Sequence, residues 1–160
     1  MMNKIISMAG LVLGTILLFA ACSTSSDDLN EQGLYQNEIT SGTDQRPTWI
    51  GPLATDIHFE GIPMSVQITL QAELLPYLSS NDLVCAMIGG EVRAVTPPFE
   101  TGGQYYFPLS VLGNNGEGFI TLKYYCDQLH RIFTVEQWRE FDTSAQPTVG
   151  GKPYEVQFVQ

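Results

Sequence analysis

The chain has 160 residues, with 17 Asp and Glu against 7 Lys and Arg and a formal net charge of −10 at pH 7. That length holds one domain plus a terminal extension. So acidic a chain is excluded as a nucleic-acid binder, because phosphate binding needs Lys and Arg to displace counterions, and anionic lipid headgroups repel it.

The first element in chain order is an apolar run from Ile5 to Phe19, preceded by Lys4. A spanning helix needs about 20 apolar residues to cross roughly 30 Å of hydrocarbon. The run is shorter, and no Lys or Arg stops it on the far side. Charged start, apolar middle and small residues at the end make a secretory signal peptide. The stretch Leu18-Phe19-Ala20-Ala21-Cys22 resembles the lipobox of bacterial lipoproteins, with Phe19 standing where Leu is usual. The resemblance implies that residues 1–21 are cut away and that the Cys22 thiol carries a diacylglycerol through a thioether. One acyl chain, at about 0.8 kcal/mol per buried methylene, holds a protein only marginally. Two or three chains on Cys22 make a permanent anchor to the membrane without a span. The following Ser23-Thr24-Ser25-Ser26-Asp27-Asp28 resembles the acidic export signal of Bacteroidetes-type surface lipoproteins. That implies the outer membrane, facing the cell exterior; the same residues also read as a plain solvated linker.

Residues 22–46 are expected to be the lipidated cysteine and a disordered tether. They are polar and acidic with few large apolar groups, and such a stretch buries too little surface to offset its ordering entropy. The folded domain is expected over 47–160. Met64 to Gln71 alternates apolar and polar, which puts Met64, Val66, Ile68 and Leu70 on one face of a strand. Leu83–Ile88 and Glu91–Val95 flank Gly89-Gly90 and read as a tight hairpin. Gln104–Leu112 is a further strand, closed by Gly113-Asn114-Asn115-Gly116. Phe119–Cys126 follows, with Ile120, Leu122 and Tyr124 on one side. Asp127 to His130 is a turn, Arg131–Val135 returns, and Tyr154–Phe158 closes the chain. Val66–Leu78 and Val135–Phe141 offer helical alternatives, but neither has a cap and a stripe. Strands spaced about ten residues apart predict an all-β fold. We expect a single antiparallel β-sandwich, immunoglobulin-like, of about seven or eight strands.

The stretch from Asn81 through Gly89-Gly90 to Val95 resembles a small β-sandwich module of Bacteroidetes-type secreted and surface proteins. So do Tyr105 to Gly113, Gly118 to Tyr125, and Val149-Gly150-Gly151-Lys152-Pro153-Tyr154. Cys85, Val92 and Ala94 depart from the module's usual Gly, Cys and Gly. The resemblance implies fold and location, and an accessory unit not tied to one chemistry.

Several residues are candidates for function. Glu91 and Arg93 are two apart on one strand and so share a face; they can fix the hairpin or contact a ligand. Cys85 and Cys126 can form a disulfide in an oxidising compartment, or remain two buried small hydrophobes. Trp49, Tyr106 and Trp138 belong to an aromatic set, with Tyr105, Tyr124 and Tyr125, that can fill a core or stack on sugar faces. The only histidines are His58 and His130, and no metal-binding, phosphate-loop or nucleophile motif is present in the sequence. Carboxylate pairs such as Glu91 with Glu100 or Asp82 arise by chance on so acidic a domain. The sequence therefore predicts no enzyme, no cofactor and no metal. The leading expectation is a lipid-anchored surface protein with a binding or adhesive accessory role toward glycan or a surface protein. A structural accessory subunit of a larger complex comes second and a small glycoside hydrolase third. An exposed aromatic patch with polar neighbours favours glycan, a bare apolar patch favours a protein partner, and a deep cleft with two carboxylates favours the hydrolase.

Overall fold

The structure, a computed structural model, describes residues 39, 41–53 and 62–160. The signal peptide, Cys22, the tether up to residue 38 and His58 lie outside the described residues. Among the described residues eight strands follow one another: β1 Met64–Leu70, β2 Leu83–Ile88, β3 Glu91–Thr96, β4 Phe99–Thr101, β5 Gln104–Val111, β6 Phe119–Cys126, β7 Arg131–Glu140 and β8 Tyr154–Val156. They form two four-stranded sheets, ordered β4-β5-β1-β8 and β3-β2-β6-β7. The fold is a β-sandwich. The β1–β8 pair is parallel, Ile68 opposite Tyr154, while the other pairs among the described strands are antiparallel. The parallel pair arises because β8 enters the first sheet from β7 of the second, on the far edge of β1.

The core follows from the period of two. Met64, Val66, Ile68 and Leu70 of β1 and Phe107, Leu109 and Val111 of β5 face inward from the first sheet. Val84, Ala86 and Ile88 of β2, beside Tyr124, Leu122 and Ile120 of β6, face inward from the second. Tyr124 is the hub, its ring 5.9 Å from Phe107, 5.9 Å from Phe133 and 5.6 Å from Phe158. Its hydroxyl donates to Asp82 at 2.6 Å. Asp82 is fully buried and also accepts from Ser79 N, Ser79 Oγ and Asp127 N at 3.1, 3.1 and 2.9 Å. A buried carboxylate is tolerated only when its lone pairs are satisfied in this way.

Two corners join the sheets. At one, Leu112 N donates to the Arg93 carbonyl at 3.2 Å. At the other, Thr134 and Val159 exchange backbone bonds of 2.9 and 3.1 Å. The β2–β3 hairpin turns on Gly89 and Gly90, both at positive φ (59° and 87°), the conformation that a two-residue turn demands. Val135–Phe141 forms no helix; β7 runs to Glu140 with an irregularity. Leu122 pairs with Val135 but Ile120 with Arg139, so residues 136–138 bulge out opposite Thr121, with Gln137 at φ 50°. Such a bulge re-aims side chains, here Trp138 within it and Arg139 just beyond it.

The expected tether needs correction at its C-terminal end. Gly42 N and Asp44 N donate to the carbonyls of Leu129 and His130 at 2.7 and 2.8 Å. The Asp44 carboxylate accepts from Ile132 N at 2.8 Å. The Arg46 guanidinium donates to the Asn81 carbonyl and lies 6.0 Å from the centre of the Tyr125 ring, and Gly51 passes the backbone of Val95. Residues 41–53 are thus a strap along the outer face of the β3-β2-β6-β7 sheet, and the domain starts upstream of Pro47. Composition misleads here because polar bonds from Gly42, Asp44 and Arg46, rather than large apolar side chains, hold the first part of the strap.

Candidate functional site

Arg93 is the extra residue of a bulge between β2 and β3, where Ala86 pairs with Ala94 but Met87 with Val92. Its side chain is only 9% exposed. Nη1 reaches Glu117 Oε2 at 3.0 Å and the Leu112 carbonyl at 3.4 Å, and Nη2 lies 3.3 Å from Glu91 Oε2. Asn114 Nδ2 completes the cluster on Glu117 Oε1 at 2.8 Å. Arg93 therefore clamps the β5–β6 loop to β3, and Glu91 caps the clamp from the solvent side. The structure buries the Arg93 side chain in the scaffold and leaves Glu91 exposed beside it.

The proposed bridge between Cys85 and Cys126 is corrected: both are free thiols. Cys85 stands opposite Lys123 and Val95, on the strap side of the sheet. Cys126 belongs to the core cluster on the other side and contacts the Tyr77 carbonyl at 3.6 Å. A sheet lies between them, which no disulfide can span. Burial pushes the Cys85 thiol up to about 12, against a smaller opposing pull from Lys123. Cys126 is also raised, chiefly by burial. Neither has the electropositive, open setting of a reactive cysteine. Among the described residues no group of three His, Cys, Asp or Glu side chains is placed to hold a metal ion.

The three candidate rings fall on three different surfaces. Trp49, half-buried, sits in the strap on one outer face. Trp138 lies on β7 beside Tyr154, ring centres 6.0 Å apart and edge to face. Tyr106 lies on the outer face of the opposite sheet. There it meets Phe99 of β4, its cross-strand partner, with ring centres 5.4 Å apart.

The face around Tyr106 has a distinctive make-up. Phe99 is 52% exposed. Pro108 follows Tyr106 on the same side of β5, with Ser110 beyond it. Gln67 and Ser65 of β1 stand opposite Pro108 and Ser110, and Thr69 continues the row. Thr101 and Gln104 close it at the hairpin tip. Rings, a proline and neutral amides and hydroxyls thus share one sheet face, with Glu155 of β8, beside Thr69, at its margin. On the reverse side of the same hairpin, Tyr105 is 45% exposed. A hydrogen bond with Glu100, and that carboxylate's charge, raise its hydroxyl.

Phe99 escaped the sequence reading because β4 has only three residues and follows Pro97-Pro98. The signal was nonetheless present: Gly102-Gly103 repeats the hairpin turn of Gly89-Gly90, with φ of 58° and 78°. No known protein family, characterised protein or solved structure matches this chain.

Proposed function

We propose that the protein is a glycan-binding module, anchored through Cys22 to the outer membrane and displayed on the cell exterior. The observation that carries the binding reading is the outer face of the β4-β5-β1 sheet. Exposed rings stack on the apolar faces of sugars, and amide and hydroxyl side chains exchange hydrogen bonds with sugar hydroxyls. The lipobox-like Leu18 to Cys22 and the acidic stretch after it support the anchor and its location.

The proposal includes no catalysis. Asp142, in a cleft it shares with Glu140, has its carboxyl lowered by hydrogen bonds from Ser144. That is the opposite of the raised carboxyl a glycosidase uses as its acid. One observation favours the second reading, an accessory subunit. β4 is an edge strand carrying exposed Phe99, which another protein's strand can extend.

The test is a glycan-array and affinity-gel screen of the purified full-length chain. Phe99→Ala and Tyr106→Ala should each weaken binding at least tenfold, about 1.4 kcal/mol, while Trp49→Ala on the opposite face leaves it unchanged. Silence across a broad panel would remove the glycan reading and favour the edge-strand partner.

A further inference from the structure

Arg139 is the side chain the scaffold leaves most conspicuously uncommitted. The β7 bulge places its guanidinium carbon 5.3 Å from the centre of the Trp138 ring and 4.8 Å from that of Tyr154. Contact with two rings, themselves edge to face, fixes its position through cation–π attraction. Among the described residues nothing accepts from its buried Nη1. The ion pairs among the described residues involve Arg46 and Arg93 instead. A desolvated guanidinium donor without an acceptor is costly; with Nη1 closed off from solvent, a ligand in the adjoining cleft would meet the other N–H groups of the guanidinium.

Arg139 opens on a cleft of about 420 Å³, also lined by Asn115, Gly116, Glu140, Phe141 and Asp142. Asn115 is occupied, its amide bonded to Thr143 Oγ1 and Thr143 N at 3.3 and 3.0 Å. Asp142 is lowered first by Ser144 and also by the charge of Arg139, yet the two do not form an ion pair. The cleft thus holds one cation and two carboxylates, with the cation and Asp142 facing a shared gap.

We propose that this cleft binds a small zwitterion of the α-amino-acid type. Its carboxylate forks onto Arg139, the planar geometry that a guanidinium matches best, and its ammonium faces Asp142 and Glu140. A simple anion meets two carboxylates in a chain of net charge −10, and a simple cation meets Arg139. Only a ligand carrying both signs a few ångströms apart satisfies the whole cleft. The site is independent of the glycan face, since Tyr154 and Tyr106 belong to different strands separated by β1 and point to opposite sides of the sheet.

The chain has two tryptophans, so Trp49→Phe leaves Trp138 as the sole indole reporter beneath Arg139. The full-length Trp49→Phe protein is titrated with the common free amino acids, followed by fluorescence. The best of them is then compared with its methyl ester, its N-acetyl form and acetate. The expected result is a saturable change with at least one free amino acid and at least tenfold weaker binding when either charge is blocked. Arg139→Gln should abolish the response and Asp142→Asn weaken it, both without loss of the folded circular-dichroism spectrum. No saturable change with any free amino acid, or equal binding of acetate or of a blocked form, overturns the proposal. Because the glycan screen reads Phe99 and Tyr106, failure of either site leaves the other standing.

Discussion

At the scale of single residues, Asp82 is the most demanding position. Four donors converge on its carboxylate, so Asp82→Ala leaves the Tyr124 hydroxyl and the backbone of Ser79 and Asp127 without their acceptor inside the fold. The expected loss is about 2–5 kcal/mol, read as a lower urea midpoint with an unchanged slope. Cys85 makes a second prediction. Its thiol is held up to about 12 in the folded domain, against 9.0 for an ordinary thiol, so a disulfide reagent at pH 8 should label it only when the domain opens. The linkage has a definite sign. Below pH 9 both states keep the proton; above it the unfolded chain ionises first, so the contribution to stability is lost as pH rises from 9 toward 12. Burial likewise raises Tyr124, reinforced by Asp82, and the same loss extends to higher pH. Urea melts between pH 8 and 11 should show stability falling; constant stability would contradict the burial of both groups.

At the scale of elements, the strap is the least expected part. Starting the chain at Pro47 removes the bonds of Gly42, Asp44 and Arg46 to the β6–β7 turn and to Asn81 and uncovers Tyr125. Such a chain should melt lower than one starting at Glu38 and should label Cys85 faster; identical behaviour would make the strap an ornament. Several elements were legible in the sequence: β1 and β6 from their period of two, β2 and β5 from the apolar or strand-like runs that glycine turns close, all within a residue or two of their expected bounds. β3, the start of β7 and β8 were also placed from the sequence; what was not legible has identifiable reasons. β4 is too short for a period to show. The parallel partnership of β8 depends on which edge of β1 is vacant, a property of the assembled sheet. The bulges at Arg93 and Gln137 shift register through contacts made only after the strands pair, so an i, i+2 argument for Glu91 and Arg93 found the right ion pair but missed its burial. Trp138 stands out in the sequence as a ring, but nothing in the spacing of Arg139 beside it distinguishes it from a surface arginine, although its Nη1 is buried.

At the scale of the whole molecule, anchoring and charge act together. If Cys22 carries the lipid, Cys22→Ser should move the protein from the membrane fraction to the soluble one, and a variant that stays in the membrane would refute lipidation. The anchor then holds a strongly acidic domain, of net charge −10 for the chain, which anionic headgroups repel, leaving its faces open to solvent. The proposed glycan face is uncharged apart from Glu155 at its margin. Recognition there rests on ring stacking and neutral hydrogen bonds, which salt does not screen, while the surrounding negative field is screened within about 8–10 Å at physiological ionic strength. Binding to a neutral polysaccharide should therefore change less than twofold between low and high salt. A uronate-rich polysaccharide should bind poorly at low salt, if at all, and improve as salt rises. Affinity gels cast with each polymer at two salt concentrations read both effects. Retardation by the anionic polymer that weakens with salt would point instead to a cationic site, and Arg139 would become the residue to mutate.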